Sequence, residues 1–392
     1  MGPAMPAAEQ PERPTLSSWA EAGKVLCIRL DSMGDVLMTG PAVRAVKESS
    51  PGRRVSFLTS SRGAEAARLI PWIGEVIVYD APWMKATLPR PESAGDLAAI
   101  EAIRSAAFEG AVIFTVYSQS SLPAALFCYL ADIPLRLAYC RENPYQLLTD
   151  HVPEDEPDGA ITDLCPPAIG PAGTAEPLRI RHEVRRQLDL VARIGCTTGD
   201  DRLYMRIPAD AVESVKRSLL ELGVNGGAFV VLHPGAGARS RRYPADGFAE
   251  VGRYLAGEAG LPVIFTGDET EGPLIEAVRQ RMGARSHTLA GRLRLDELAA
   301  LLSMASLLVS NNTGPAHIAA AVGTPVVSLY ALTNPQHVPW KVPSRVLFHD
   351  VPCKYCYKSV CPRGTNDCLR LVSPEDVISA ALELLGPCLR SA

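Results

Sequence analysis

The stretch at 307–330 constrains the fold most, because it joins an apolar strand, a short polar loop, a helix and a second strand. The loop reads Ser-Asn-Asn-Thr-Gly-Pro-Ala-His at 310–317. Asn312 and Thr313 suit the N-cap position, and Pro315 suits the first helical turn. A loop that opens a helix after a parallel strand offers free N–H groups and the positive end of the helix dipole to a phosphate. An ordinary capped helix without a ligand explains this stretch equally well, so residues elsewhere must decide.

Apolar strands alternate with helical patterns along both halves of the chain, which predicts α/β architecture with doubly wound parallel sheets. A chain of 392 residues is too long for one ordinary core and indicates two domains. We expect a first domain at 24–205 and a second at 206–392, joined through a linker at 199–209. The predicted strands are 24–30, 55–59, 76–79, 110–115 and 133–139 in the first half, and 229–232, 263–266, 307–309 and 326–330 in the second.

Three further segments have their own expectations. Residues 1–23 lack a basic start followed by an apolar run, so we expect a disordered extension rather than a signal peptide. The Pro-, Asp- and Gly-rich segment 150–176 is predicted to be a loop. The final helix, at 374–385, is expected to pack back across the domains.

Composition excludes several classes of protein. A hydrophobic content of 47% and a charged content of 21% are typical of a globular protein, and a net charge of −4 gives no reason to expect a nucleic-acid partner. No run of 18 apolar residues predicts a membrane-spanning helix. Together with the absence of a secretion signal, this favours a reducing, cytoplasmic location.

The loop at 31–35, Asp-Ser-Met-Gly-Asp, carries the candidate for chemistry. Asp35 follows a glycine at the mouth of a helix predicted at 36–48, where a carboxylate can accept a proton from a bound hydroxyl. A mere helix cap is the simpler alternative for Asp35. Asp31 is a second candidate, and Ser32 and Met33 are candidate acceptor contacts. No Gly-x-Gly-x-x-Gly is present, which disfavours a dehydrogenase-type dinucleotide site.

A helix predicted at 182–194 supplies one more candidate. His182 and Glu183 open it and could contact a polar substrate, although a solvated first turn is the preferred interpretation.

The second half offers a candidate diphosphate site. His-Pro-Gly-Ala-Gly at 233–237 ends a predicted strand, and small residues such as Gly235 allow a ligand to approach the backbone. Arg239, Arg241 and Arg242 follow, and guanidinium matches phosphate oxygens in charge and geometry. A solvated basic loop is the alternative. Acidic side chains also follow the strand at 263–266, a position that often accepts hydrogen bonds from ribose hydroxyls.

These motifs occur in one order: Asp-Ser-Met-Gly-Asp, His-Pro-Gly-Ala-Gly, Ser-Arg-Arg-Tyr-Pro at 240–244, Thr-Gly-Asp-Glu at 266–269 and the loop at 310–317. As an ordered set they resemble the heptosyltransferase family, glycosyltransferase family 9, over nearly the whole chain. The resemblance implies a GT-B fold, in which two Rossmann-like domains face each other across a cleft. It also implies a nucleotide-diphosphate sugar donor, ADP-heptose, on the second domain and a glycan or lipid-linked sugar acceptor on the first. Transfer in this family inverts the anomeric centre without a metal or other cofactor.

The resemblance assigns roles to individual residues. Asp35 matches the catalytic base, and Arg241 falls where the family commonly has a lysine that neutralises the diphosphate. Glu269 matches the acidic residue on the ribose. Thr313, Gly314 and Pro315 match the phosphate loop, and His317 matches a residue that faces the donor. Asn312 stands where several members have an aspartate associated with the donor sugar, which leaves the identity of that sugar open.

Four cysteines near the end of the chain, Cys353, Cys356, Cys361 and Cys368, are spaced closely enough for a tetrahedral structural zinc site. Free buried thiols and, less readily in a reducing compartment, disulfides are the alternatives.

Two other functions remain open at this stage. One is a glycosyltransferase of the same fold with another donor or a small-molecule acceptor, and the near-neutral charge favours it because an enzyme at a lipid surface often displays a basic patch. The other is a non-catalytic nucleotide-binding protein. For the main interpretation we expect at most transient contact with the inner membrane surface.

Overall fold

The computed structural model describes residues 18–154, 181–224, 226–331, 336–356 and 358–389. Two six-stranded sheets organise these residues, and every strand pair in both sheets is parallel. The α/β prediction with two doubly wound parallel sheets is therefore confirmed.

The first sheet has the order β3-β2-β1-β4-β5-β6. Its central strand β1 is buried along nearly its full length, as expected for a parallel strand covered by helices on both faces. The strands in chain order are β1 (Lys24–Arg29), β2 (Arg54–Thr59), β3 (Glu75–Val78), β4 (Gly110–Ile113), β5 (Leu135–Cys140) and β6 (Asp150–Pro153).

The second sheet repeats this plan with the order β12-β11-β10-β7-β8-β9. In each sheet the strand order reverses beside a central strand, between β1 and β4 in the first and between β7 and β10 in the second. Ligands of open parallel sheets bind at the carboxyl ends of such strands. The strands are β7 (Val230–His233), β8 (Val263–Phe265), β9 (His287–Thr288), β10 (Leu307–Asn311), β11 (Val326–Leu329) and β12 (Ser344–Leu347).

Twelve α-helices cover the two sheets within the described residues. In the first half they are α1 (Met33–Glu48), α2 (Ser61–Arg68), α3 (Ala94–Ser105), α4 (Leu122–Leu130) and α5 (Glu183–Ala192). In the second half they are α6 (Ala209–Glu221), α7 (Ala245–Gly257), α8 (Gly272–Met282), α9 (Leu295–Met304), α10 (Gly314–Val322), α11 (Asp367–Arg370) and α12 (Pro374–Leu389). None of the helices described is long and apolar enough to cross a bilayer.

The two halves share a hydrophobic core. Helix α1 packs against α5 and also against α10 of the other half. One continuous cluster of buried side chains includes Val36 and Val43 of α1 together with Ala316 and Ile318 of α10. The two helices that open at the candidate site are thus packed against each other.

Several sequence-based expectations need correction. The predicted disordered extension at 1–23 lies outside the described residues up to position 17, but Trp19 and Ala22 are buried in the core and the Trp19 indole donates to Asp150. The predicted loop at 150–176 begins as the edge strand β6, and residues 155–176 lie outside the description. Helix α6 directly follows the predicted linker and was not expected. Helix α12 packs on α7 and on strands β10, β11 and β12 of its own half.

Candidate functional site

A buried arginine organises the end of β1. The Arg29 side chain is fully buried and contacts three carboxylates with three different nitrogens. Its Nε lies 2.7 Å from an oxygen of Asp31, its Nη1 lies 2.9 Å from Glu183, and its Nη2 lies 3.3 Å from Asp35. The Ser32 hydroxyl donates to the other Asp35 oxygen at 3.1 Å. The candidate base is therefore held by both of its oxygens in the first turn of α1.

Burial and charge act in opposite directions on this cluster. Burial alone would raise the pKa of Glu183, but Arg29 and Arg186 outweigh it and hold the pKa at about 2. Burial raises the pKa of Asp31, and the neighbouring Asp35 and Glu183 raise it further against the lowering effect of Arg29. One guanidinium shared by three carboxylates does not compensate all of them equally.

The first turn of α5 is buried, so the expectation of a solvated turn is wrong. His182 and Glu183 are both 0% exposed. The His182 Nδ1 accepts the Val184 N–H, its Nε2 donates to the Val338 carbonyl at 2.9 Å, and its ring lies against Trp340. Burial lowers the pKa of His182 to about 4, which keeps the ring neutral. With both nitrogens bonded to the backbone, His182 caps α5 and has no nitrogen free for an acceptor.

The loops that open α1 and α10 touch each other. A Cβ added at Gly34 would lie 2.8 Å from Cδ2 of His317, and one added at Gly314 would lie 2.1 Å from Cε of Met33. The Gly34 position is therefore closed to a side chain unless the His317 ring moves, whereas at Gly314 only the flexible end of Met33 would have to shift. Met33, a predicted acceptor contact, lies against the predicted phosphate loop.

Asn311 joins the segments that follow β7 and β10, the two strands between which the order of the second sheet reverses. Its Nδ2 donates to the carbonyls of Pro234 and Gly235, and its Oδ1 accepts the Tyr243 N–H at 2.9 Å. Gly235 and the 310–317 loop, predicted separately as donor contacts, are thus joined at the adjacent ends of β7 and β10.

The remaining predicted donor residues surround this point. Thr313 is the N-cap of α10 and Pro315 lies in its first turn, as predicted, although the Thr313 side chain makes no capping hydrogen bond. Asn312 is buried, and its Nδ2 has no partner among the described residues. The half-buried Arg241 guanidinium likewise has no hydrogen bond or ion pair with described residues. Glu269 is exposed at the end of the loop after β8.

Two buried histidines lie between the halves. Burial lowers the pKa of His317 to about 3, His337 lowers it further, and the nearby Asp35 opposes the shift. His337 has a lowered pKa for the same first reason, and it interacts with Asp35, Glu183 and Arg241. The His317 Nδ1 and the His337 Nε2 have no hydrogen-bond partner in the described part of the chain. Neutral, unpartnered ring nitrogens can donate to or accept from a polar ligand.

Sequence reasoning missed three members of this site. Arg29 had a signal, since it is a charged residue that directly ends an apolar, buried strand. Glu183 had been placed in solvent, because its partner on β1 is remote in sequence. His337 lies beside a segment without periodic pattern and carried no signal.

The four cysteines line one small cavity of about 30 Å³ together with Ser240 and Asn366. All four are partly exposed, and none of them forms a disulfide within the described part of the chain. Across the described residues, no group of three or more His, Cys, Asp or Glu side chains is arranged to hold a metal ion. Their loop instead supports the arginine loop, because the carbonyls of Lys358 and Ser359 accept hydrogen bonds from Ser240.

Comparison with known proteins agrees with this arrangement. Residues 175–366 match the family model for glycosyltransferase family 9 (heptosyltransferase). The chain carries a family 9 glycosyltransferase domain. Over 228 residues it is 30% identical to lipopolysaccharide heptosyltransferase 3 of Escherichia coli K12, which covers 53% of this chain. The chain spans 61% of that relative's length and 52% of lipooligosaccharide heptosyltransferase 2 of Campylobacter jejuni.

Solved structures extend the likeness of the family 9 domain to the whole fold. The glycosyltransferase family 9 structure from Veillonella parvula has a TM-score of 0.74 at 19% identity, and covers 94% of this chain and 100% of its own. The ADP-heptose lipopolysaccharide heptosyltransferase II of E. coli has a TM-score of 0.67 at 18% identity, with the same coverage. At these identities the likeness establishes the fold, and the predicted GT-B architecture is confirmed.

Proposed function

We propose that the protein is an inverting, metal-independent glycosyltransferase that transfers heptose from ADP-heptose to a hydroxyl of a glycan or lipopolysaccharide-core acceptor. One observation carries the proposal. Asp35, fixed through both carboxylate oxygens by Arg29 and Ser32, faces the opening of α10 and its uncommitted polar groups. The names of the relatives supply the sugar class, since they are lipopolysaccharide and lipooligosaccharide heptosyltransferases.

In the proposed reaction Asp35 accepts the proton of the acceptor hydroxyl. The hydroxyl oxygen forms a bond to the anomeric carbon on the face opposite the diphosphate. The bond between that carbon and the phosphate oxygen breaks, and ADP leaves with the electron pair. Attack from the opposite face inverts the anomeric centre.

The leaving diphosphate gains negative charge as the bond breaks. Arg241 and the start of α10, where Thr313, Gly314 and Pro315 form the proposed phosphate loop, are proposed to stabilise that charge. In this scheme protein groups supply the positive charge, so the transfer itself does not require a metal. Glu269 is proposed to accept from the ribose hydroxyls, and His317 to face the donor.

Calorimetric titration with ADP, GDP and UDP tests the donor site. We expect selective binding of ADP that weakens about tenfold or more in Arg241→Ala and in Glu269→Ala. Arg281→Ala is the matched control, because Arg281 is half exposed and its ion pair among the described residues is with Asp246 on the surface. Absence of binding to all three nucleotides would refute the donor-site assignment and favour a non-catalytic function.

The alternative function is transfer from a donor other than ADP-heptose. The unpartnered Nδ2 of Asn312 offers a hydrogen-bond donor where family members often place a carboxylate. Such an amide suits a donor sugar with a different hydroxyl pattern. Preference for UDP or GDP in the same titration would keep the fold and the mechanism but change the donor.

The cellular setting follows from the same proposal. We propose that the protein acts in the cytoplasm, with transient contact to the inner membrane surface when the acceptor is lipid-linked.

A further inference from the structure

A cavity of about 270 Å³ opens at the first switch point, where β1 and β4 lie side by side. Two of its walls come from the strands themselves, and the others from the segments that follow β3 and β4. No residue in it was predicted as a site residue. It is lined by Ile28, Leu30, Trp83, Met84, Ile113, Phe114, Thr115, Ser118, Gln119, Ser120, Pro123 and Ala124.

The lining combines an aromatic and aliphatic surface with a few neutral polar groups. Trp83 is half-buried and packs edge-on against Tyr79, which fixes the ring at the wall. The hydroxyls of Thr115 and Ser118 make no hydrogen bond with other described residues. Ligand pockets of this composition hold a molecule by its apolar face and orient it with a small number of polar contacts. The volume lies just below the range of roughly 300–1,000 Å³ used by drug-sized ligands, which suits a single sugar ring.

Charge around the cavity disfavours an anion. No charged side chain lines it within the described residues. One of the polar lining groups is hydrogen-bonded to a carboxylate on its other side, because Gln119 donates to Asp31 at 2.6 Å. An anionic ligand would therefore approach this carboxylate through a partly desolvated wall.

Arg141 donates to the Tyr117 carbonyl, beside the segment that follows β4, and its guanidinium is already engaged. The Arg141 guanidinium stacks on the Tyr117 ring with 3.8 Å to the centroid, and it lies 3.7 Å from the Glu154 carboxylate. It is not among the side chains that reach into the cavity.

The cavity is linked to the candidate base by direct contacts. Gln119 donates to Asp31, Asp31 pairs with Arg29 at 2.7 Å, and Arg29 pairs with Asp35 at 3.3 Å. A molecule seated against Gln119 is thus one side chain away from the network that holds Asp35.

We propose that this cavity binds the terminal residue of the acceptor and that it selects a neutral sugar over one bearing a carboxylate or phosphate. The inference rests on the proposed transfer reaction and deepens it by naming the class of acceptor. Trp83 covers the apolar face of the ring, and Thr115, Ser118 and Gln119 bond to its hydroxyls.

The test is a ligand-observed NMR titration with three glucose derivatives: the neutral methyl α-glucopyranoside and two anions, the corresponding glucuronide and glucose 6-phosphate. We expect the neutral glucoside to bind at least about tenfold more tightly than either anion. Trp83→Ala should weaken glucoside binding by about tenfold. Tyr204→Ala is the matched control, because Tyr204 is an exposed aromatic beside another cavity of similar size, about 310 Å³.

A charge-gain variant keeps the proposal testable if Trp83→Ala fails to fold. Ser118 is exposed at the cavity mouth, and Ser118→Arg should raise the affinity for glucuronide and glucose 6-phosphate several-fold without improving glucoside binding. Tighter binding of an anion by the unaltered protein would overturn the proposal. So would the absence of glucoside binding, or preferential binding of 1-hexanol, which would indicate an apolar chain as the occupant.

ADP calorimetry on the same samples distinguishes failure of the acceptor-cavity inference from failure of the proposed donor site. Intact ADP binding with no preference for the neutral sugar refutes only the acceptor inference. Loss of ADP binding refutes the donor site and, with it, the reaction on which the inference rests.

Discussion

Both halves have a strand–loop–helix unit at the point where the strand order of their sheet reverses. They differ in whether the polar groups there have partners within the protein. After β1, Arg29 pairs with Asp31, Asp35 and Glu183, and Ser32 bonds to Asp35. After β7 and β10, three polar groups lack partners among the described residues: the Asn312 Nδ2, the His317 Nδ1 and the Arg241 guanidinium.

This difference corresponds to two tasks. A general base must be oriented before the substrate arrives, so its carboxylate is fixed by protein partners. A site for a charged, hydrogen-bonding ligand must keep donors free, because groups that are already paired have less to offer. The first half is therefore organised in advance around a carboxylate, and the second half leaves donors free, as the proposed binding of a diphosphate requires.

Replacing the base gives the largest expected effect. Asp35→Asn keeps the shape of the side chain and its contact with Ser32 but removes the proton acceptor, so we expect the transfer rate to fall by about 10²- to 10⁴-fold. Transfer from ADP-heptose is measured by release of ADP, and ADP affinity by calorimetry. Affinity should be unchanged, because ADP is proposed to bind to the other half.

The control for that experiment is Asp246→Asn, which removes a carboxylate whose side chain is 84% exposed on α7. It should leave both rate and affinity unaltered. A weakened ADP affinity in Asp35→Asn would contradict the proposed division of tasks, in which Asp35 acts as the base and does not contribute to ADP binding.

Removing the shared guanidinium is expected to have the next largest effect, this time on stability. Arg29→Met leaves three neighbouring carboxylates without their buried partner, and we expect the free energy of unfolding to fall by about 3–5 kcal/mol. Denaturation by urea measures the loss. Adding Glu183→Gln should restore part of it, since fewer like charges then remain together, and strict additivity of the two changes would contradict the shared network.

Acid should destabilise the protein through its buried histidines. Burial lowers the pKa of His182 and His233 to about 4 and of His317 to about 3, from 6.5. Below pH 6.5 these histidines are protonated in the unfolded chain but stay neutral in the folded chain. The free energy of unfolding therefore falls as the pH drops from 6.5 towards the folded-state pKa values. The raised pKa values of Asp31 and Glu271 act in the opposite sense, whereas the lowered pKa of the buried His337 adds to the loss.

For each of these histidines we expect the free energy of unfolding to fall by about 1–2 kcal/mol when the pH is lowered from 7 to 5. Urea denaturation at the two pH values measures this change. His317→Gln should reduce the pH dependence, because it removes a titrating ring whose Nδ1 has no partner in the described structure. An unaltered pH dependence in this variant would show that His317 is protonated without difficulty in the folded state.

Local sequence predicted the fold well where strands are central and helices are capped. The strands β1, β4, β7 and β10 are continuous apolar runs, and each was predicted to within a few residues. The edge strand β6 alternates between half-buried and exposed residues and so lacked the apolar signal. Helix α6 carried a signal that was overlooked, since Ala211, Val215 and Leu219 recur at helical spacing and form its buried face.

The candidate site was predictable only in part, for a physical reason. Asp35 and the 310–317 loop follow from local rules about loops at strand ends. The pairing of Arg29 with Glu183 and the burial of His337 depend on how α5 and the 336–341 segment pack against β1 and α1, which no local pattern encodes.

The smallest expected effect probes the contact between the two halves. In Gly314→Ala the new methyl group would meet the end of the Met33 side chain, which is flexible and can move aside. We therefore expect a loss of about 1 kcal/mol in stability, measured by urea denaturation, and a modest change in ADP affinity. Met33→Ala should relieve the clash. Gly314→Ala should therefore lower the free energy of unfolding less in a protein that carries Met33→Ala than in one that retains Met33. If Met33→Ala gives no relief, the methyl group must instead disturb the opening of α10 itself, and the two loops would be independent rather than fitted to each other.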